Sequence, residues 1–137
     1  MPFSVEAERD YIASLSVRDL LHVAVCQPDM TIVGFQGLSP LPSHSSAFAH
    51  VGVIGTFVDL MHRRQGIARQ LFTATFAAAR GMGYEKIFTY VRADNPDALA
   101  TYLNQGFRVV GTAKHHAKLN GQSIDEVMIE KLLEGEG

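Results

Sequence analysis

Val58-Asp59-Leu60-Met61-His62-Arg63-Arg64-Gln65-Gly66-Ile67-Ala68 decides how this chain folds. The apolar run from His50 to Leu60 ends in it. That run is rich in Val, Ile and Phe and nearly continuous in apolar character, which suits a central strand covered on both faces. A helix from Gly66 to Arg80 begins in it. Ile67, Leu71, Ala74 and Ala78 form one stripe, and Ala68, Phe72, Phe76 and Ala79 widen it. Gly81-Met82-Gly83 stops the helix, and Lys86 to Val91 reads as a strand parallel to the first, completing a β-α-β unit. The turn between strand and helix carries Arg63 and Arg64. No Ser, Thr, Asp or Asn stands just ahead of Gly66 to cap the free N–H groups. Uncapped amides, a glycine for close approach and two arginines suit a pyrophosphate. A charged turn leading into an ordinary helix fits this segment equally well. Other phosphate motifs do not fit: there is no Gly-x-x-x-x-Gly-Lys run, and Gly81-Met82-Gly83 follows a helix where a dinucleotide fingerprint must precede one.

Downstream, Asn95 to Gln105 reads as a second helix. Asn95 is a natural N-cap, Pro96 suits the first helical position and Asp97 complements the dipole. Leu99, Tyr102 and Leu103 form its inner face, and Gly106 ends it. Phe107 to Leu119 and Gln122 to Leu133 read as strands joined by Asn120-Gly121, the strongest short hairpin signal. A two-residue turn there puts His115 opposite Glu126 and His116 opposite Asp125, predicting cross-strand charge pairs. Upstream, Leu21 to Cys26 and Thr31 to Leu38 form a hairpin around Gln27-Pro28-Asp29-Met30, and Ser39 to Ser46 is a loop. Val5, Tyr11, Ile12 and Leu15 are spaced for a short amphipathic helix from Val5 to Leu15. The expected class is α/β (α+β): a mixed sheet with helices packed on it, in one domain over residues 1–137.

The bulk properties narrow the function. The chain has 137 residues, 47% apolar and 19% charged, with a formal net charge of −2. Basic residues do not cluster beyond Arg63-Arg64, so neither nucleic acid nor an anionic membrane is an expected partner. Apolar stretches are too short to span a bilayer, and Met1 to Glu6 lacks the pattern of a signal peptide; the cytoplasm is expected. Cys26, alone and within an apolar run, reads as a core thiol. The six histidines show no ligand spacing, so no metal is expected.

The two informative segments together resemble the GNAT superfamily of acetyl-CoA-dependent N-acetyltransferases. Arg63-Arg64-Gln65-Gly66-Ile67-Ala68 matches its Arg/Gln-x-x-Gly-x-Gly/Ala signature. Asn95, Ala98, Tyr102 and Gly106-Phe107 match its later pattern. The resemblance runs from about Leu21 to Leu133 and is strongest toward members ending in a hairpin. It implies a splay between the strand of His50 to Leu60 and that of Lys86 to Val91, with the arm of acetyl-CoA lying in the gap. Backbone amides near Phe57, Val58 and Leu60 would bond to that arm. Amides from Arg64 through Gln65, Gly66 and Ile67 to Ala68, beside Arg63, would hold the pyrophosphate. Asn95 would touch the arm, or serve as a plain N-cap, or both. Tyr102 matches the family's general acid; on spacing alone it is an inner-face aromatic. A phenol, with a pKa of about 10, can protonate the thiolate that leaves when an amine attacks a thioester.

The chain also departs from the family. Val53 stands where close relatives often carry a carboxylate base, which leaves Asp59, His50 or a water to take the amine's proton. The family's first strand and helix are expected to be missing, so a sheet edge would stand open and a homodimer could cover it. Two functions follow. One is an N-acetyltransferase acting on a primary amine of a small molecule, an amino acid or a protein N-terminus. The other is a non-catalytic CoA-binding module or sensor subunit.

Overall fold

The computed structural model describes residues 3–7, 19–26, 30–43, 45–59 and 66–133. At its centre the apolar run becomes β4 (Val51–Val58), α1 (Ile67–Gly81) crosses back, and β5 (Lys86–Arg92) lies parallel to β4. On one side of β4, β2 (Leu20–Cys26) and β3 (Thr31–Pro40) form the expected hairpin. After β5 come α2 (Pro96–Asn104), β6 (Arg108–Leu119) and β7 (Gln122–Leu132). Of the expected loop from Ser39 to Ser46, the first two residues belong to β3, and its last begins a single 3₁₀ turn, Ser46–Phe48, capped by Ser45.

The N-terminus corrects one expectation. Phe3–Ala7 is a strand, β1, paired antiparallel with β2 from Phe3↔Cys26 to Ala7↔His22. The sheet therefore has its first strand, and Val5 belongs to it rather than to a helix. The remainder of the expected helix lies outside the described residues. Apolar residues at 3 and 5 have the period of a strand, but the spacing Val5, Tyr11, Ile12, Leu15 imitates a helical stripe across two elements. Since β1 covers the edge of β2, that edge is not left open for a second copy to cover. Among the described residues seven strands make one sheet in the order β1-β2-β3-β4-β5-β7-β6.

The core lies between this sheet and the two helices. Phe72, Leu71 and Ala79 on α1 are fully buried, with Leu38, Ile54, Ile87 and Ile129 on the strands beneath. Phe72, Phe76, Tyr102 and Phe107 pack ring to ring at centroid distances of 5.1 to 6.3 Å. A smaller cluster of Ala24, Cys26, Val33, Ile67 and Leu71 holds the start of α1 against β2 and β3. Cys26 is buried there, as its apolar run implied.

The C-terminal hairpin turns where expected: Asn120 and Gly121 have φ of 50° and 81°, the left-handed pair such a turn requires. Its register is a second correction. Pairing holds from Leu119↔Gln122 to Ala117↔Ile124, then jumps across a bulge to Ala113↔Glu126. His115 sits in the bulge at φ 52° and is not opposite Glu126. Its backbone N–H instead donates to Asp125 Oδ1 at 2.8 Å, holding that carboxyl below its usual range, and Lys114 lies 3.5 Å from Asp125. A bulge adds residues to one strand without a change in apolar pattern, so spacing from the turn could not reveal it.

Glu130 on β7 ties the three terminal strands together. Its carboxylate accepts from Lys86 on β5 at 2.6 Å and from Arg108 Nε on β6 at 2.8 Å. Lys86 above all, and Arg108 with it, hold Glu130 below the usual carboxylate range despite its burial. A depressed folded pKa means the stabilisation is complete above the ordinary glutamate value of about 4.3 and fades as pH falls through the folded value. Glu130→Gln should therefore lower the unfolding midpoint near neutral pH, and the gap from the unaltered protein should close in acid. A gap that persists unchanged at pH 2–3 would sink this account.

Candidate functional site

β4 and β5 pair only over Val51↔Lys86, Gly52↔Ile87 and Val53↔Phe88. Beyond Val53 they diverge, while β4 stays paired with β3 as far as Val58. The divergence opens a cleft of about 360 Å³. Ile54, Gly55 and Thr56 form one wall, Thr89 to Arg92 the other, and Asn95, Ala98, Tyr102 and Glu126 complete it. Among the described residues the backbone of β4 on this side has no strand to bond to beyond Val53, so it can take an extended ligand as if it were another strand. The cleft lies at the carboxyl ends of two parallel strands, where α/β sheets bind ligands.

The cleft draws on both faces of the sheet. Side chains alternate along a strand. Ile54, buried in the same core cluster as Phe72 and Tyr102, marks the helix face, so Thr56 shares it, whereas Gly55 and Phe57 face the other way. Phe57 is exposed and stacks on Phe35 at 5.4 Å. On β5, Thr89 and Val91 are buried toward the helices, which puts Tyr90 and Arg92 on the opposite face. Arg92 stands opposite Glu126 on β7 in the register, so Glu126 shares that face. Tyr90 stacks on His116 at 4.9 Å, and Arg92 is drawn to Asp94 at 3.0 Å. Among the described residues no ion pair or hydrogen bond engages the Glu126 carboxylate.

Tyr102 enters from the helix side. Its ring is 7% exposed, wedged edge-on against Phe72 and Phe107, and its hydroxyl lies 2.9 Å from Thr56 Oγ1. Burial raises the phenol's pKa above its ordinary 10, and the Thr56 hydrogen bond pulls it partway back. Asn95 Oδ1 accepts from the Ala98 N–H at 3.2 Å, so it is the N-cap of α2, and it also lines the cleft.

Gly66 precedes α1 with φ 80°, and no side chain caps the helix. A side chain at Gly66 would be strained by that backbone, although the space around it is open. Ile67 is buried beside the end of β4: a Cβ built on Gly34 meets Ile67 Cγ2 at 3.3 Å and Val58 Cα at 3.5 Å. The α1 N-terminus thus adjoins the open end of the cleft, with no side-chain cap among the described residues. Ala68 follows in the first turn, partly buried. Leu60, Arg63, Arg64 and Gln65 lie outside the described residues.

Of the residues singled out from sequence, the fold brings Tyr102 and Asn95 into the cleft and sets Phe57, Val58, Gly66, Ile67 and Ala68 at its open end. It does not bring in the candidate bases. His50 is exposed at the start of β4, where its carbonyl accepts from Glu85 and Lys86, and Asp59 lies past the end of β4 with its N–H on Val33 O. Neither lines the cleft. Sequence reasoning misses Gln36, Thr56, Tyr90 and Glu126. The bulge hides Glu126; a Gln and a Thr in apolar strands, Gln36 and Thr56, are the signal that could have found the other polar pair.

The Acetyltransferase (GNAT) family model matches residues 1–107. The chain belongs to the GNAT acetyltransferase family. Among curated proteins it is similar to N-alpha-acetyltransferase RimI of Mycobacterium tuberculosis, 34% identical over 91 residues, covering 66% of this chain and 54% of that protein. It is also similar to N-acetyltransferase 8 of Homo sapiens, 30% identical over 87 residues, covering 64% and 38% respectively. The chain spans about half or less of the length of these relatives. The GNAT fold recurs in solved structures. One is a GNAT superfamily phosphinothricin acetyltransferase from Sinorhizobium meliloti in complex with AcCoA, with TM-score 0.75, 16% identity and coverage of 83% of this chain and 60% of that one. Another is a ribosomal-protein-alanine N-acetyltransferase from Brucella melitensis, with TM-score 0.74, 23% identity and coverage of 83% and 68%. The family match ends before β6, so Glu126 and His116 lie on a hairpin outside it. No helix among the described residues is long and apolar enough to cross a membrane.

Proposed function

We propose that this GNAT protein transfers the acetyl group of acetyl-CoA to a primary amine by direct attack. The observation that carries the reading is the cleft itself: a gap between splayed parallel strands with a buried phenol on one face and, on the other, a carboxylate that no described residue engages. The open edge of β4 near Phe57 and Val58 supplies backbone N–H groups for the arm of acetyl-CoA. The uncapped amides from Gly66 to Ala68 face its pyrophosphate, and Asn95 bounds the arm from α2.

The acceptor enters from the face of Tyr90 and Glu126. A carboxylate there attracts a protonated amine, and the stacked Tyr90 ring offers it an aromatic wall. Once the ammonium has given up a proton to water or to Glu126, its nitrogen attacks the thioester carbon. The carbonyl oxygen becomes an oxyanion beside the Val58 N–H, which the β3–β4 register turns away from β3. As the C–S bond breaks, the sulfur takes the proton of Tyr102, the nitrogen's second proton passes through water to the phenolate, and the amide product and CoA leave. Because the cleft supplies Glu126, neither Asp59 nor His50 is needed.

The experiment is a titration of acetyl-CoA against the thermal unfolding midpoint, followed by CoA release with benzylamine, lysine amide and an alanine-terminated peptide as acceptors. A ligand bound only by the folded state stabilises by about 2.7 kcal/mol at a hundredfold excess over Kd. Gly66→Glu, which strains the φ 80° position and puts a negative charge at the helix start, should abolish the shift. No shift with millimolar acetyl-CoA would refute the reading. A shift without CoA release from any amine would favour the non-catalytic module.

A further inference from the structure

A row of polar side chains crosses the helix face of the sheet, with Thr75 Oγ1 of α1 3.5 Å from His22 Nδ1 at one end and the apolar core packed around it. His22, Gln36 and Thr56 stand opposite one another on β2, β3 and β4 in consecutive registers. Gln36 is fully buried. Its Nε2 donates to Thr56 Oγ1 at 2.9 Å, and the same Oγ1 lies 2.9 Å from the Tyr102 hydroxyl. Gln36 Oε1 meets no donor among the described residues. A buried amide with an unmet acceptor costs stability that Leu or Met at this place would not. Such a cost is tolerated where the group has work to do.

We propose that Gln36 and Thr56 are positioning residues that aim the proton of Tyr102 into the cleft. A threonine hydroxyl has one proton to give and room to accept two. With Gln36 Nε2 donating to Thr56, and no other acceptor for the Thr56 proton among the described residues, that proton goes to Tyr102 Oη. The phenol's oxygen is then an acceptor toward the core, and its own proton is free for the cleft. Turning the Gln36 amide around would reverse the chain. Thr56 would donate to Oε1, Tyr102 would donate to Thr56, and no proton would face the cleft. The reversed amide would also leave its two-proton nitrogen where Oε1 now lacks a partner. When Tyr102 has lost its proton, the Thr56 donor remains on the phenolate, and a hydrogen bond to a charged oxygen is stronger than one to a neutral phenol. The chain therefore both points the acid and stabilises its conjugate base.

The inference rests on Tyr102 as the general acid, and its test separates the two. The first readout needs no acceptor: the ultraviolet ionisation of Tyr102, taken as the difference between the protein and its Tyr102→Phe variant, each measured in the Thr56 backgrounds. The other titratable groups facing the cleft are Tyr90 and Arg92 on β5 and Glu126 on β7, with His22 at the far end of the row; α1 and Phe107 present only apolar rings to Tyr102. Thr56→Val, nearly isosteric, should move the ionisation to higher pH, and Thr56→Ser should restore it. Gln36→Met should move it in the same direction as Thr56→Val, by a smaller amount. The second readout is CoA release with the alanine-terminated peptide. Thr56→Val should lower kcat by about ten- to a hundredfold, the range for a hydrogen bond to a charged group, with KM for acetyl-CoA unchanged. Thr56→Val should add nothing in a Tyr102→Phe background. An ionisation unmoved by Thr56→Val would overturn the proposal. Full turnover in Tyr102→Phe would overturn the acid reading instead, leaving the ionisation result to judge the relay.

Discussion

Tyr102→Phe should lower acetyl transfer by about 10²–10³-fold while the stabilisation by acetyl-CoA is retained, because general acid catalysis is worth about 10²–10⁴. The substitution removes one oxygen and keeps the ring. The edge-on contacts with Phe72 at 5.4 Å and Phe107 at 5.1 Å survive, so α2 stays seated. What is lost is the proton donor at the cleft and the partner of Thr56. A half-buried Thr56 hydroxyl that still accepts from Gln36 but has lost the acceptor of its own proton costs about 1–2 kcal/mol, visible as a lower unfolding midpoint but too small to empty the folded state. Loss of turnover with an intact acetyl-CoA shift would assign the chemistry to Tyr102. Unaltered turnover would mean that water protonates the sulfur and that Tyr102 is only a core aromatic.

The second large effect is on stability. Phe72→Ala should cost about 3–5 kcal/mol in denaturant unfolding, the range for removing a fully buried phenylalanine. Phe72 touches Phe76, Tyr102 and Phe107 at once, so its ring joins α1, α2 and the start of β6. Those rings come from three different parts of the chain and cannot all collapse into the vacated space. A domain of ordinary stability would keep little margin. The variant should also turn over slowly, since Tyr102 loses the wall that fixes its ring. A loss below about 1 kcal/mol would show that the cluster repacks freely and that Phe72 is not its keystone.

Much of this fold is legible in the amino-acid sequence. The β4-α1-β5 unit, the Asn95 cap, the Asn120-Gly121 turn and the place of Tyr102 on the inner face of α2 all depend on local rules. Apolar period, capping chemistry and turn conformation act over a few residues, so a few residues reveal them. Two local expectations fail for the same reason, a strand feature that apolar spacing does not record. At the N-terminus, Phe3–Ala7 merges into a helical stripe because Val5 suits either period. In the hairpin, the bulge at His115 shifts the partner of Glu126 without altering the pattern of either strand.

The site divides along the same line. The sequence by itself determined the family, the parallel strand pair that must carry the cleft, the uncapped glycine start of α1 and the phenol of Tyr102. These are properties of contiguous segments, and local chemistry dictates them. Only the tertiary structure decided where β4 and β5 part company, that Glu126 rather than Asp59 or His50 lines the gap, and that Gln36 and Thr56 meet Tyr102. Those residues are far apart in the chain. Their meeting depends on strand order, register and the face each side chain takes, and a one-residue change in register reverses every face. A sequence states which groups are available; the sheet's pairing decides which of them share a cleft.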